Sequence, residues 1–348
     1  VVTGQWAGTT TITATAIASS VKATATVTVA ENHPEKLVIN EIQTANIDMF
    51  IDPSFNYGGW VELYNPTASD VSIGNLWLSD DASNLKKHHL PADVGVVKAG
   101  GFKNIWFDHY DTGIQQFSDQ ACKQVDFKLN YDGGTLYVSD NRGTLLFSQA
   151  YPAAIPRTSY ARTTDGGTIW SRTSTPSPEA TNNGSSFATE RLSAPEVDKA
   201  ATVFTNGFTF NVAIPAGTTL IYTTDGSTPT LQNGQVSTTG QFYVSGSSKI
   251  YRFRLFQDGY LPSAVVTRSF IYRSKDYYLP IVSVVTDNDN LYDETIGAYV
   301  DGTNGTSGNN NAFSNKNRSW ERPVNFEYLV PDDQGEYSVA LSQECDFE

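Results

Sequence analysis

Short apolar runs that alternate with polar residues, each closed by a Gly, Pro or Asn turn, recur along the chain, and no stretch carries a sustained helical period. Period-two alternation sends successive side chains to opposite faces of a strand, so one face can be buried while the other meets water. The pattern is plainest in Thr9-Thr10-Thr11-Ile12-Thr13-Ala14-Thr15-Ala16 and Val21-Lys22-Ala23-Thr24-Ala25-Thr26-Val27-Thr28-Val29. Many short strands at this spacing predict a mainly β chain built as sandwiches or barrels. Its 348 residues, at roughly 150 residues per domain, allow two to four such units.

Turn clusters and composition shifts divide the chain into four. Residues 1–30 hold two strands, too few to close a core, and are expected either to complete a sandwich with upstream residues or to pack on the next unit. A second unit spans 36–183, with strand candidates such as Val38-Ile39-Asn40-Glu41-Ile42 and Trp60-Val61-Glu62-Leu63-Tyr64, and ends in a Ser/Thr/Pro-rich segment. A third, over 192–273, has the size and strand spacing of a small antiparallel sandwich. The remainder, 278–348, offers a buried-strand candidate in Pro280-Ile281-Val282-Ser283-Val284-Val285-Thr286, then a Gly/Asn-rich stretch over 301–311 that reads as a mobile loop. Neither end of the sequence carries a polar tail, and the chain reads as a piece of a longer exported protein.

Composition excludes several function classes. The formal charge of −14 disfavours phosphate backbones and anionic membrane surfaces, so no nucleic-acid partner is expected. Four His and two Cys leave no material for a His-rich zinc site or a thiolate cluster, and pairing of Cys122 with Cys345 is left open. No apolar run approaches the ~20 residues of a transmembrane helix. Phosphate-loop, nucleophile-elbow and zinc-protease motifs are missing as well.

Some residues invite chemistry. Asp287, Asp289 and Asp293 alternate in a turn-like run and form a metal candidate, although the spacing fails the EF-hand pattern and a capped turn or helix start competes with it. Glu41 and Glu62 sit inside apolar strands, where neighbouring backbone donors or solvent are the expected partners in place of a catalytic role. Trp60, Trp77, Trp106 and Trp170 would make sugar-stacking platforms if exposed together, against ordinary core packing. Lys86-Lys87-His88-His89 is a compact basic patch, and Asp165-Gly166-Gly167 and Asp225-Gly226 are turns first.

Four segments resemble known families. Residues 3–30 resemble the final hairpin of a bacterial immunoglobulin-like domain. Val38-Ile39-Asn40-Glu41-Ile42, Trp60-Val61-Glu62-Leu63-Tyr64-Asn65 and Gly133-Gly134-Thr135-Leu136-Tyr137 make 36–183 resemble a lamin-tail domain. Tyr222-Thr223-Thr224-Asp225-Gly226-Ser227-Thr228-Pro229-Thr230 makes 192–273 resemble the C-terminal sandwich of chitobiase-like proteins. Leu279-Pro280-Ile281-Val282-Ser283-Val284-Val285-Thr286-Asp287 and Trp320-Glu321-Arg322-Pro323-Val324-Asn325-Phe326-Glu327-Tyr328 make 278–348 resemble the start of a spore-coat protein H-like kinase domain. The resemblances imply tandem immunoglobulin-like β-sandwiches with a small, incomplete α+β C-terminal segment. They further imply a non-catalytic scaffold of an exported bacterial surface protein, without catalytic or cofactor-binding residues of its own. ATP and a divalent metal would belong to a kinase-like domain downstream of Glu348. The alternatives are a carbohydrate-binding or adhesion module, with a cell-surface or extracellular polysaccharide or protein as partner, or the flank of an ATP-dependent protein kinase.

Overall fold

Alternating apolar residues need a second layer to cover them, and the chain supplies one by folding strands back in antiparallel pairs. The computed structural model describes residues 7–29, 31–107, 124–275, 277–307, 313–318 and 320–347. Among the described residues it is mainly β, with several small sheets, one four-residue α-helix and a C-terminal three-stranded sheet.

The first unit is a lone hairpin. Gly8–Thr15 pairs with Lys22–Val29 in register from Gly8 opposite Val29 to Thr15 opposite Lys22. Both of its faces meet water, and Ile17 and Val21 at the turn are fully and largely exposed. Of the two expectations for this hairpin, packing on the next unit is not seen among the described residues, and completion of a sandwich by upstream residues stays open. Asn32 joins the following segment to the second unit by exchanging hydrogen bonds with Ser72, Nδ2 to O at 2.9 Å and N to Oδ1 at 2.8 Å.

In the second unit a six-stranded sheet runs in the order Phe187–Ala188, Trp170–Thr173, Ser159–Arg162, Val38–Gln43, Gly59–Tyr64 and Phe102–Phe107. It faces a four-stranded sheet of Leu145–Pro152, Gly133–Ser139, Trp77–Ser79 and His88–His89. Ile39, Ile42, Val61, Leu63, Leu78 and Val138 fill the space between them. The polar segment that was expected to end the unit instead crosses the outside of the larger sheet, and the chain then adds Phe187–Ala188 to that sheet's edge.

The third unit packs a five-stranded sheet, with one parallel pair between Thr202–Phe204 and Val266–Tyr272, against the hairpin-like pair Phe208–Asn211 and Gln241–Val244. Its core is aromatic: Phe210 stacks on Phe242 with ring centres 5.3 Å apart and leans on Phe270 at 4.8 Å. In the fourth unit the sheet order is Ile281–Val285, Arg322–Pro331, Tyr337–Phe347, with the helix Asp289–Tyr292 beside it. The described part of the stretch expected to be mobile is tied down. Asn304 N donates to Asn315 Oδ1 at 2.9 Å, and Arg318 donates to the carbonyls of Asn304 and Gly305. Residues 308–312 lie outside the described residues.

The last three units share interfaces. Ala201, Val203, Leu329 and Tyr337 form a small core between the third and fourth. Trp320 of the fourth unit is 2% exposed, donates Nε1 to Ser54 O of the second at 3.1 Å and lies 5.5 Å from the Phe55 ring.

Candidate functional site

Where the second, third and fourth units meet they enclose a cavity of about 730 Å³. Its charged floor is assembled from four residues far apart in sequence. Asp48 lies in the loop after Val38–Gln43, a loop held by Asn46, whose side chain bonds the Phe50 amide and the Phe50 and Gly58 carbonyls. Arg157 sits in a tight turn with φ of 63°, a left-handed conformation uncommon for a non-glycine residue. Arg252 comes from Lys249–Phe256 and Glu344 from Tyr337–Phe347.

Arg157 is 4% exposed and spends every side-chain nitrogen on carboxylates: Nε on Asp48 at 2.8 and 2.9 Å, the terminal nitrogens on Glu344 at 2.9 and 3.2 Å. Arg252 reaches the same Glu344 at 3.3 Å and also donates to Gly226 O and Thr228 Oγ1. Thr228 in turn donates to Asp48 at 2.7 Å. Burial works against the Asp48 charge, but the Arg157 guanidinium outweighs it and holds the carboxyl below its ordinary range. The same carboxylates raise Arg157 despite its burial. Two buried arginines, a largely buried Asp48 and a part-exposed Glu344, drawn from three units, thus neutralise one another.

Gly226 explains part of the close fit. Its φ is 89°, and a Cβ there would run into the Thr286 carbonyl of the fourth unit. The Asp225-Gly226 turn is therefore also a contact surface.

A second group of charges lies under the outer segment of the second unit. Glu41 and Glu62 are cross-strand partners, both fully buried. Glu41 accepts from the Ser159 hydroxyl and from the Ser177 amide and hydroxyl, the latter two at 3.2 Å. Glu62 Oε1 accepts from Asn40 at 3.0 Å, and the Glu179 and Ala180 amides lie close enough to favour its charged form. Burial pushes Glu41 up to about 6 and Glu62 up to about 8, the nearby Glu41 charge adding to the latter. Residues 174–182 cover the pair, anchored through Asp165, which bonds Asn40 and the Asn182 amide.

The proposed platforms do not assemble. Trp60 is fully buried and bonds Gln43 at 2.7 Å. Trp106 lies against it at 6.5 Å, Trp77 sits on the opposite sheet beneath Lys86, and Trp170 stacks on Tyr160. These three are half-buried, and none of the four lines the cavity. Of the metal candidates, Asp287 and Asp289 do line it, whereas Asp293 is taken up capping its own turn through the Thr295 and Ile296 amides. Among the described residues no three His, Cys, Asp or Glu side chains converge as a metal cluster. The basic patch is largely answered locally, Lys87 by Asp80 and His88 by Asp126. Cys345 is half-buried and free, while Cys122 and any pairing of the two fall outside the described residues. Among the described residues no helix is long and apolar enough to cross a membrane.

No protein-family model matches the chain, and a search of curated proteins finds no match. The geometry of the junction therefore carries the functional argument.

Proposed function

We propose that the chain is a non-catalytic scaffold of an exported bacterial surface protein, whose last three units act as a single rigid support for a downstream atypical kinase-like domain. The observation that carries this reading is the Asp48–Arg157–Glu344–Arg252 network, which ties three units together through two buried arginines and the carboxylates they share. A string of independent spacers would keep polar, weakly packed contacts between domains. Here a Trp and two Arg are buried across them instead. The resemblances to lamin-tail, chitobiase-like and spore-coat protein H-like domains support the same assignment, and on that reading ATP and a divalent metal are bound beyond Glu348.

Two measurements test it. Purified chain incubated with ATP and Mg²⁺ or Mn²⁺ should transfer no phosphate to itself or to a general protein acceptor; transfer would end the non-catalytic reading. Small-angle scattering of the wild type should fit one rigid particle over the last three units, with Arg157→Met broadening the distance distribution. A wild type as flexible as the variant would remove the support role.

A further inference from the structure

We infer that the junction cavity binds a short acidic oligosaccharide, with the carboxylate of a uronic acid on Arg254 and ring hydroxyls against the acidic wall opposite. This goes beyond the scaffold reading and does not depend on it.

Arg252, Arg254 and Phe256 alternate along one strand and so share the face turned to the cavity. The charges of Arg157 and Arg252 are met by Asp48 and Glu344, but Arg254 has no carboxylate partner. It is 5% exposed, and among the described residues its one hydrogen bond runs from Nε to Ser263 O at 3.1 Å. Its terminal nitrogens are left as a fork of donors in a buried wall. Burial, and then the neighbouring Arg157, lower its pKa to about 10, so it remains charged at neutral pH. A guanidinium fork is answered best by a planar, bidentate anion, which describes a carboxylate.

The other lining residues define the rest of the ligand. Asp287, Asp289 and Asp346 form no ion pair among the described residues. They would repel a doubly charged phosphate, yet they accept hydroxyl hydrogens well. Thr230 and Asn233 add hydroxyl and amide groups, and Tyr57 and Tyr131 offer flat faces for the C–H side of a sugar ring. The volume falls within the usual range for small-molecule sites. Tyr131 and Leu231, 58% and 68% exposed, place its mouth at the surface.

The test is calorimetric titration of the intact chain with a trisaccharide of two galactoses and one galacturonate, its methyl ester, neutral galactotriose and inorganic phosphate. The mono-acid should bind saturably, and the ester and the neutral sugar about tenfold more weakly or worse. Arg254→Gln should erase that preference. Tyr131→Ala, at a position 58% exposed, should weaken the mono-acid severalfold. Absence of binding at millimolar mono-acid, or equal binding of ester and acid, overturns the inference. Phosphate binding as tightly as the mono-acid also overturns it, by making the cavity a general anion site.

Discussion

Replacing Glu62 with Gln should change how stability depends on pH more than it changes stability itself. A carboxyl whose folded pKa lies above its unfolded value holds its proton more tightly in the folded state. Its contribution is therefore intact below about pH 4.5 and is lost as the pH rises toward the folded value of about 8. At ~1.4 kcal/mol per pH unit, ionising Glu62 removes on the order of 3 kcal/mol between pH 5 and pH 8. Glu41, raised to about 6, adds a smaller loss of the same sign, on the order of 1 kcal/mol over that interval. Glu62→Gln leaves an acceptor for Asn40 Nδ2 and nothing to ionise, so the variant should lose the Glu62 part of the slope and keep the rest, to which Glu41 and the raised Glu327 contribute. Urea unfolding at pH 5, 6, 7 and 8 provides the assay, read by tryptophan fluorescence, because Trp60, Trp77, Trp106 and Trp170 all report on this unit. Any constant penalty of the substitution cancels in the comparison of slopes. Parallel pH profiles for wild type and variant would refute a buried, protonated Glu62.

Glu344→Gln should cost about 1–2 kcal/mol, since it leaves the buried Arg157 and Arg252 short of a carboxylate that is itself partly solvated, and limited proteolysis should then cut between units at residues 273–280 first. Gly226→Ala should lower the melting temperature of the joined units, through both its φ and the clash with Thr286; an unchanged melting curve would mean that this turn carries no contact. Trp320→Ala should cost about 3–5 kcal/mol, seen as a shifted denaturation midpoint. Asp293→Ala should cost about 1 kcal/mol through loss of its turn-capping bonds, with no change in stability on adding Ca²⁺ to either protein.

Many of the strands were readable because segments such as Val38–Gln43 and Gly59–Tyr64 carry their apolar residues in the period that buries them. The odd carboxylates Glu41 and Glu62 were visible for the same reason, as charges in apolar runs. The junction was not readable. Asp48 and Arg157 stand 109 positions apart and Arg157 and Glu344 a further 187, so no local pattern links them. Arg252 and Arg254 mislead in a more instructive way. Alternation with Tyr251, Phe253 and Leu255 assigns them to the solvent face, but that face is covered by neighbouring units, and both are at least nine-tenths buried. Two arginines facing away from one core can mark a second interface, and a run buried on both sides is its local signature. The segment at 174–182 misled through composition: its Ser, Thr and Pro residues look like a linker, yet Ser177 donates both its amide and its hydroxyl to Glu41.

The hairpin at the start of the chain responds to mechanical load differently from everything after it. Gly8 and Val29 are opposite one another at its open end, so tension along the chain would peel the cross-strand pairs in turn, from that end toward the tip. Peeling breaks bonds singly and needs little force, whereas the interlocked units must shear two buried arginines from their carboxylates and a tryptophan from its pocket together. Fully drawn out, the 22 residues from Gly8 to Val29 would span about 70 Å at the extended rise per residue. Anything fastened before Gly8 would thus be held by a compliant tether, while the body behind it kept its shape.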